Sequence, residues 1–413
     1  MKQDARAAAV ALIAWAWCAA PLFAQDIYTP IPSGFDFPAD EASQLKLRDD
    51  QDVSGMRRHA WNVWAGLNQP AAGGGPIWET WFRSADTFRA GAGPAAARRS
   101  IRRELRPPRQ HQLPGVAAAG QSLMSDVLFN RETHEHIRDN QFHQQQILNA
   151  INQGFPQGTP VEQREIKDFP REAVSLKSTW WLVKQQGITP MPVWDNEPTQ
   201  PVAAGNPPRQ WKRLVGVDPS RQQIPADETT ELTVIDPVTK AKTSHPGSHV
   251  VSLSAFYSFT LQTPEEIAAA QRSDTTAAKG DHVVLVALHV TTKEIDDWVW
   301  ATFWWHDAPD RGPFAADRTQ NVPGVWRNFL MDVAYSMDTP GEYDGTPNAC
   351  YNPWLEARFP NGLASNCMTC HQRSTWPSGS FLPVTRGALP ANDAFFANKT
   401  KLDFLWSIGF ESQ

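Results

Sequence analysis

Five residues near the C-terminus, Cys367-Met368-Thr369-Cys370-His371, concentrate more chemistry than any other stretch of the chain. Two thiols separated by two residues, with an imidazole directly after them, make the C-x-x-C-H pattern, the attachment signature of a c-type haem. In that arrangement Cys367 and Cys370 form thioethers with the two vinyl groups, and His371 ligates the iron from the proximal side. Met368 and Thr369 fill the spacer. The cofactor this implies is one covalent haem c. Zinc is the rival reading. Cys350 is the odd thiol left outside the motif, and with Cys367, Cys370 and His371 it would supply three thiolates and one imidazole. As a buried free thiol, Cys350 would instead act as a small apolar side chain.

The sixth iron position is the next question. No methionine and no histidine follows His371, so a distal protein ligand must come from upstream. His306, at the end of the run WVWATFWWH, is the first candidate, followed by Met337, Met331 and His289. Met/His or bis-His ligation suits electron transfer, and an open position suits small-ligand binding.

Covalent haem attachment takes place outside the cytoplasm, and residues 1–24 read as an export signal. Lys2 and Arg6 give a positive start, Ala7 to Ala20 is almost wholly apolar, and Leu22-Phe23-Ala24 offers a cleavage site before Gln25. The apolar run is short for a membrane span and Pro21 interrupts it, so no integral membrane segment is expected in the mature chain. A periplasmic or otherwise exported location follows. The net charge of −6 does not point to nucleic acid. The basic run Arg98, Arg99, Arg102, Arg103, Arg106 and Arg109 is not interleaved with aromatics, and reads as a solvated face or as a docking patch for an acidic redox partner protein.

The elements that must position the motif are legible in part. The 34 prolines restrict helix interiors, so an all-helical bundle is not expected. Tryptophan is abundant, at 18 residues; Trp61, Trp64, Trp78 and Trp81 read as core-packing faces, with a carbohydrate platform as the sharper alternative. A helix is expected from about Arg131 to Gln153, with His134, His136 and His143 on its surface. Strand-like runs cover Glu172 to Val183, Trp211 to Val217, Leu232 to Ile235 and His249 to Leu261. Thr263-Pro264-Glu265-Glu266 starts a short helix. His282 to Thr292 and Trp298 to His306 form a hairpin of two strong strands, and Trp326 to Tyr335 is expected to be helical.

The C-terminal third resembles a group of c-type cytochromes: the lysine-crosslinked, hydroxylamine-oxidising cytochromes and the related β-sheet cytochromes c-prime. The pieces that carry the resemblance are Val290-Thr291-Thr292-Lys293, the Trp-rich strand from Trp298 to Phe303, the C-x-x-C-H motif, and Val384-Thr385-Arg386. The resemblance implies a sheet walling the haem, and Lys293 as the residue in the crosslinking position.

The sequence thus leads to an α+β fold with a β-rich core, peripheral helices, long Pro/Gly-rich loops and a C-terminal haem-attachment segment. Residues 1–24 are the signal, 25–168 a Trp/Arg-rich and partly helical region, and 169–413 the β-rich haem-binding region. The function expected is that of an exported monohaem c-type cytochrome acting in electron transfer. The alternatives are a haem enzyme or gas binder with an open iron site, and a zinc-binding module.

Overall fold

The computed structural model describes residues 26–91, 103–112, 123–195, 205–236, 239–272, 275–338, 349–380 and 387–413. The signal segment 1–24, Arg98, Arg99, Arg102 and Val384-Thr385-Arg386 lie outside the described residues.

The chain is α+β. In order, its regular elements are α1 (Glu41–Asp49), α2 (Val53–Leu67), β1 (Phe82–Arg83), α3 (Ser84–Phe88), β2 (Met124–Phe129), α4 (Arg131–Asp139), α5 (Gln145–Gly154) and β3 (Val174–Val183). Then come β4 (Thr189–Val193), β5 (Arg213–Asp218), β6 (Thr229–Ile235), β7 (Lys242–Ser252), β8 (Ser258–Thr260), α6 (Pro264–Ala270), β9 (His282–Thr292), β10 (Val299–Trp305) and β11 (Phe329–Ala334). The C-terminal part adds α7 (Pro353–Glu356), α8 (Cys367–His371), β12 (Thr375–Trp376), β13 (Thr400–Lys401) and α9 (Trp406–Glu411). No helix among the described residues is long and apolar enough to cross a membrane.

The large sheet runs β1-β2-β3-β9-β10-β11, with β8 added on β9. β1 and β2 come from the 25–168 region and pair into the same sheet as the strands of the 169–413 region. The hairpin expected from His282 to His306 forms as β9 and β10, antiparallel with Thr292 opposite Val299. A second sheet, β4-β5-β7-β6, stands beside it.

The tryptophans are core. α2 starts at Asp52, whose side chain accepts from Gly55 N at 2.8 Å, and carries Trp61 and Trp64 against the sheet. Trp64 stacks on Phe303 of β10 at 4.1 Å between ring centroids. Trp61, Trp64, Trp78 and Trp81 are all fully buried, which removes the carbohydrate-platform alternative.

Two helix expectations are corrected. The stretch from Arg131 to Gln153 is two helices, because α4 ends in a Schellman turn. Gln141 takes the left-handed conformation (φ +58°), its N–H reaches Arg138 O at 3.1 Å, and Phe142 N reaches Ile137 O at 2.9 Å. A glutamine rather than a glycine holds that turn, so the usual stop signal is missing. His134 and His143 are buried rather than on the surface; His134 lies flat on Phe82. Trp326 to Tyr335 is mainly the strand β11, not a helix. Every residue of β11 is buried, and a strand covered on both faces has no alternation to reveal it.

Candidate functional site

The motif folds as the one-turn helix α8. Asn366 caps it, its side chain accepting from Met368 N at 2.9 Å. The same asparagine donates from Nδ2 to Ser336 O at 3.1 Å, so the cap also ties the turn to the chain after β11. Upstream, the backbones of Cys350 and Cys367 run side by side: Cys367 N donates to Cys350 O at 3.0 Å, and Cys350 N to Ser365 O at 3.0 Å. Asn352 fixes this strip to the sheet, donating from Nδ2 to Thr302 Oγ1 at 2.8 Å and to Phe303 O at 3.1 Å.

A cavity of about 160 Å³, partly open to solvent, lies between α8 and the large sheet. Cys367, Cys370 and His371 line one wall. The opposite wall is a face of the sheet, with Val127 of β2, Ser175 and Lys177 of β3, and His289 and Thr291 of β9. These residues are cross-strand neighbours: Val127 is opposite Lys177, Lys177 opposite His289, and Ser175 opposite Thr291. Trp300 of β10, opposite Thr291, continues the same face and packs on the His371 ring at 4.3 Å between centroids.

His371 is held as a neutral imidazole with one nitrogen committed. Its Nδ1 is 2.7 Å from Phe404 O, and a carbonyl only accepts, so Nδ1 carries the proton. Nε2 is then the nitrogen with a free lone pair. Burial holds the ring pKa down at about 3, so it stays neutral throughout the physiological range. This is the state and the outer-shell hydrogen bond that a metal-ligating histidine requires. The two thiols differ. Burial pushes Cys370 up to about 12, with Glu356 and Cys367 adding to it. Cys367 is lowered to about 7, first by the hydrogen bond from Cys350 and then, against burial, by His289.

The sheet wall carries two titratable groups in opposite states. His289 Nε2 lies 3.4 Å from Glu356 Oε1. Burial opposes its charge, but Glu356 and Cys367 outweigh that and raise it to about 9, so the ring is a cation. Lys177 hydrogen-bonds the neutral Gln110 Oε1, and among the described residues no carboxylate forms an ion pair with it. Burial lowers it to about 7, with Glu356 offsetting only part.

His306 is not at this site. Its Nε2 contacts Asp195 at 3.0 Å and its Nδ1 accepts from Ala308 N at 2.9 Å, so both ring nitrogens are occupied beside the second sheet. The reason is strand geometry. His306 lies six residues beyond Trp300, and at about 3.4 Å per residue that places it roughly 20 Å along the sheet. Met331 is buried opposite Phe303, on the sheet face away from the cavity. Met337 borders a different cavity, with Lys293 and Phe404. Of the four distal candidates, only His289 lines the cavity with His371.

Lys293 is also not where the resemblance puts it. It is 2% exposed and paired with Asp403 at 2.7 Å, rather than in the cavity wall. Among the described residues no three His, Cys, Asp or Glu side chains gather as a group able to hold a metal ion, so the Cys350/Cys367/Cys370/His371 zinc set is not assembled. Of the basic run, the described Arg103, Arg106 and Arg109 are each engaged in an ion pair, with Arg109 still half exposed. Arg103 binds the buried Glu79 at 3.0 Å, and Arg106 and Arg109 pair with Glu411 at 3.0 and 3.6 Å at the cavity rim.

The groups that sequence reasoning missed are Lys177, Glu356, Trp300, Trp406 and Asp403. Lys177 had a signal: a lysine inside the buried run VSLKSTWWLV is anomalous unless it serves a site. No protein-family profile, curated protein or solved structure matches this chain.

Proposed function

We propose that this chain is an exported monohaem c-type cytochrome that carries single electrons. Cys367 and Cys370 hold the haem as thioethers, and His371 is its proximal ligand. The observation that carries this reading is the state of His371: Nδ1–H bound to Phe404 O at 2.7 Å, with Nε2 left free in a half-buried neutral ring beside two cysteines and a cavity that the three residues line. When bound, the haem supplies a reversible ferric/ferrous couple. The residues around it keep the proximal imidazole in one tautomer, exclude water with Trp300 and Trp406, and raise the potential by burying the site. Arg106 and Arg109 at the rim are placed to meet acidic groups of the haem edge or of a redox partner.

The test is a haem stain on a denaturing gel after expression in a host that matures c-type cytochromes. The wild-type chain is expected to retain haem, and C367S/C370S to lose it. A wild-type chain with no retained haem overturns the reading.

A second reading has its own observation. The residues lining the cavity include no methionine, and the one histidine on the sheet wall is held as a cation by Glu356. A protonated imidazole is not an iron ligand, which favours an open sixth position and binding of a small ligand beside Lys177 and His289. Adding carbon monoxide to the ferrous protein separates the two: an unshifted spectrum supports the electron carrier, and a shifted one the ligand-binding site.

A further inference from the structure

The carbonyl that receives the His371 proton sits on an unusual piece of backbone. Asp403 (φ +43°) and Phe404 (φ +63°) are consecutive non-glycine residues, both in the left-handed region. Such conformations persist only where the surroundings over-determine them, and they concentrate at functional sites. Here the determinant is the Asp403 side chain, which is 1% exposed. Its Oδ1 accepts from Lys293 Nζ at 2.7 Å and from Trp298 Nε1 at 2.9 Å, and its Oδ2 from Phe169 N at 3.1 Å. Lys293 also donates to Asp296 O at 2.7 Å. The turn is stitched to the segment around the motif from both sides: Leu402 N donates to Ser374 O at 2.9 Å, and Trp406 Nε1 to Cys370 O at 3.2 Å.

We infer that Lys293 and Asp403 are positioning residues for His371. The buried pair locks the turn so that Phe404 O faces Nδ1, which sets the ring's tautomer, its orientation and its strength as a donor to iron. This rests on the haem reading above. A pair serving stability alone needs no link to the proximal ring. This one reaches the ring through a single residue, since the carboxylate belongs to the residue before the accepting carbonyl. Hydrogen bonding to the far nitrogen of a ligating histidine raises its basicity, and loss of such partners typically weakens metal affinity or activity 10–100-fold.

The experiment reads the ring itself. The carbon–nitrogen stretching band of the coordinated His371 ring, whose frequency follows the strength of the hydrogen bond at Nδ1, is recorded by redox-difference infrared spectroscopy of the haem-loaded protein. K293M is expected to shift the band to lower frequency, and K293R, which keeps the cation, to return it close to wild type. W298F, which removes one neutral donor from Asp403, is expected to give a smaller shift in the same direction. A haem-loaded K293M with an unshifted band overturns the inference. If K293M does not accumulate with haem, W298F decides: a downward shift supports positioning, and an unshifted band overturns it. A wild-type chain without gel-retained haem is a different result, and it removes the underlying haem reading instead.

Discussion

The two faces of the large sheet treat polar groups in opposite ways. The face toward α2 is mostly dry: Leu176, Leu288, Phe303 and Met331 join the core cluster of Trp61 and Trp64, and the buried carboxylate there, Asp126, is paired with Arg83 at 2.9 Å. The face toward α8 carries Ser175, Lys177, His289 and Thr291 in cross-strand register, with Ser175 and Thr291 buried and Lys177 and His289 half-buried along the cavity. Half-burying a lysine against a neutral amide costs stability on a face that apolar side chains could have filled. One face of the sheet therefore holds the fold together, and the other keeps polar groups for a site.

The largest expected effect is on the dry face. Trp64→Ala should destabilise the protein by about 3–5 kcal/mol through the cavity it leaves, read as a lower denaturant midpoint. Haem content per folded molecule should be unchanged. A change in the haem spectrum would show that the two faces are not separable.

Gly362→Ala tests the cover over the polar face. A Cβ there would lie 1.8 Å from Glu356 O, a backbone atom that cannot rotate away. The cost should fall toward the upper end of about 1–3 kcal/mol. The shift should also move Glu356 away from His289 and reduce the yield of haem-loaded protein. Full haem loading would indicate that this strip is not part of the site.

Lys177→Met should stabilise the protein, on the order of 2 kcal/mol at pH 6, because it removes a half-buried charge whose hydrogen-bond partner, Gln110, is neutral. The sign with pH follows from the direction of the shift. The lysine has a folded pKa near 7 and an unfolded value near 10.5, so the wild type carries the full penalty below pH 7 and sheds it as pH rises to 10.5. The gain in the variant should shrink over that window. His289 acts in the opposite sense. Its contribution is present below its unfolded value of 6.5 and is lost as pH rises through about 9. With Lys177 removed, that decline should emerge in melts between pH 6.5 and 9. A pH-independent gain would mean Lys177 is not the half-buried base described.

Asn352→Ala should have the smallest effect, about 1 kcal/mol from the loss of two hydrogen bonds to β10. The expected signature is a lower melting temperature together with a perturbed haem spectrum, because the strip carrying Glu356 loosens. A stability loss with an unchanged spectrum would place Asn352 with the scaffold rather than with the site.

Patterns short in sequence were legible and long-range ones were not. The β9–β10 hairpin, the Thr263-capped α6 and the burial of the tryptophans follow from alternation, capping chemistry and apolar area. The break at Gln141 and the strand β11 carried no such mark. The local chemistry of Cys367, Cys370 and His371 depends on residues adjacent in the chain, so the sequence alone determined it as the candidate site. What stands across the cavity depends on residues about 80 and 190 positions upstream, His289 and Lys177, meeting through strand register. The same holds for His371's outer contacts. The resemblance put Lys293 in the crosslinking position, yet it meets Asp403 across 110 residues of chain. Pairings of that kind arise from sheet order and from the fold-back of the C-terminal segment, which no local spacing encodes. The tertiary structure therefore removed His306 from the site, set His289 and Lys177 on the wall facing His371, and paired Lys293 with Asp403, the residue before the carbonyl that holds the His371 ring.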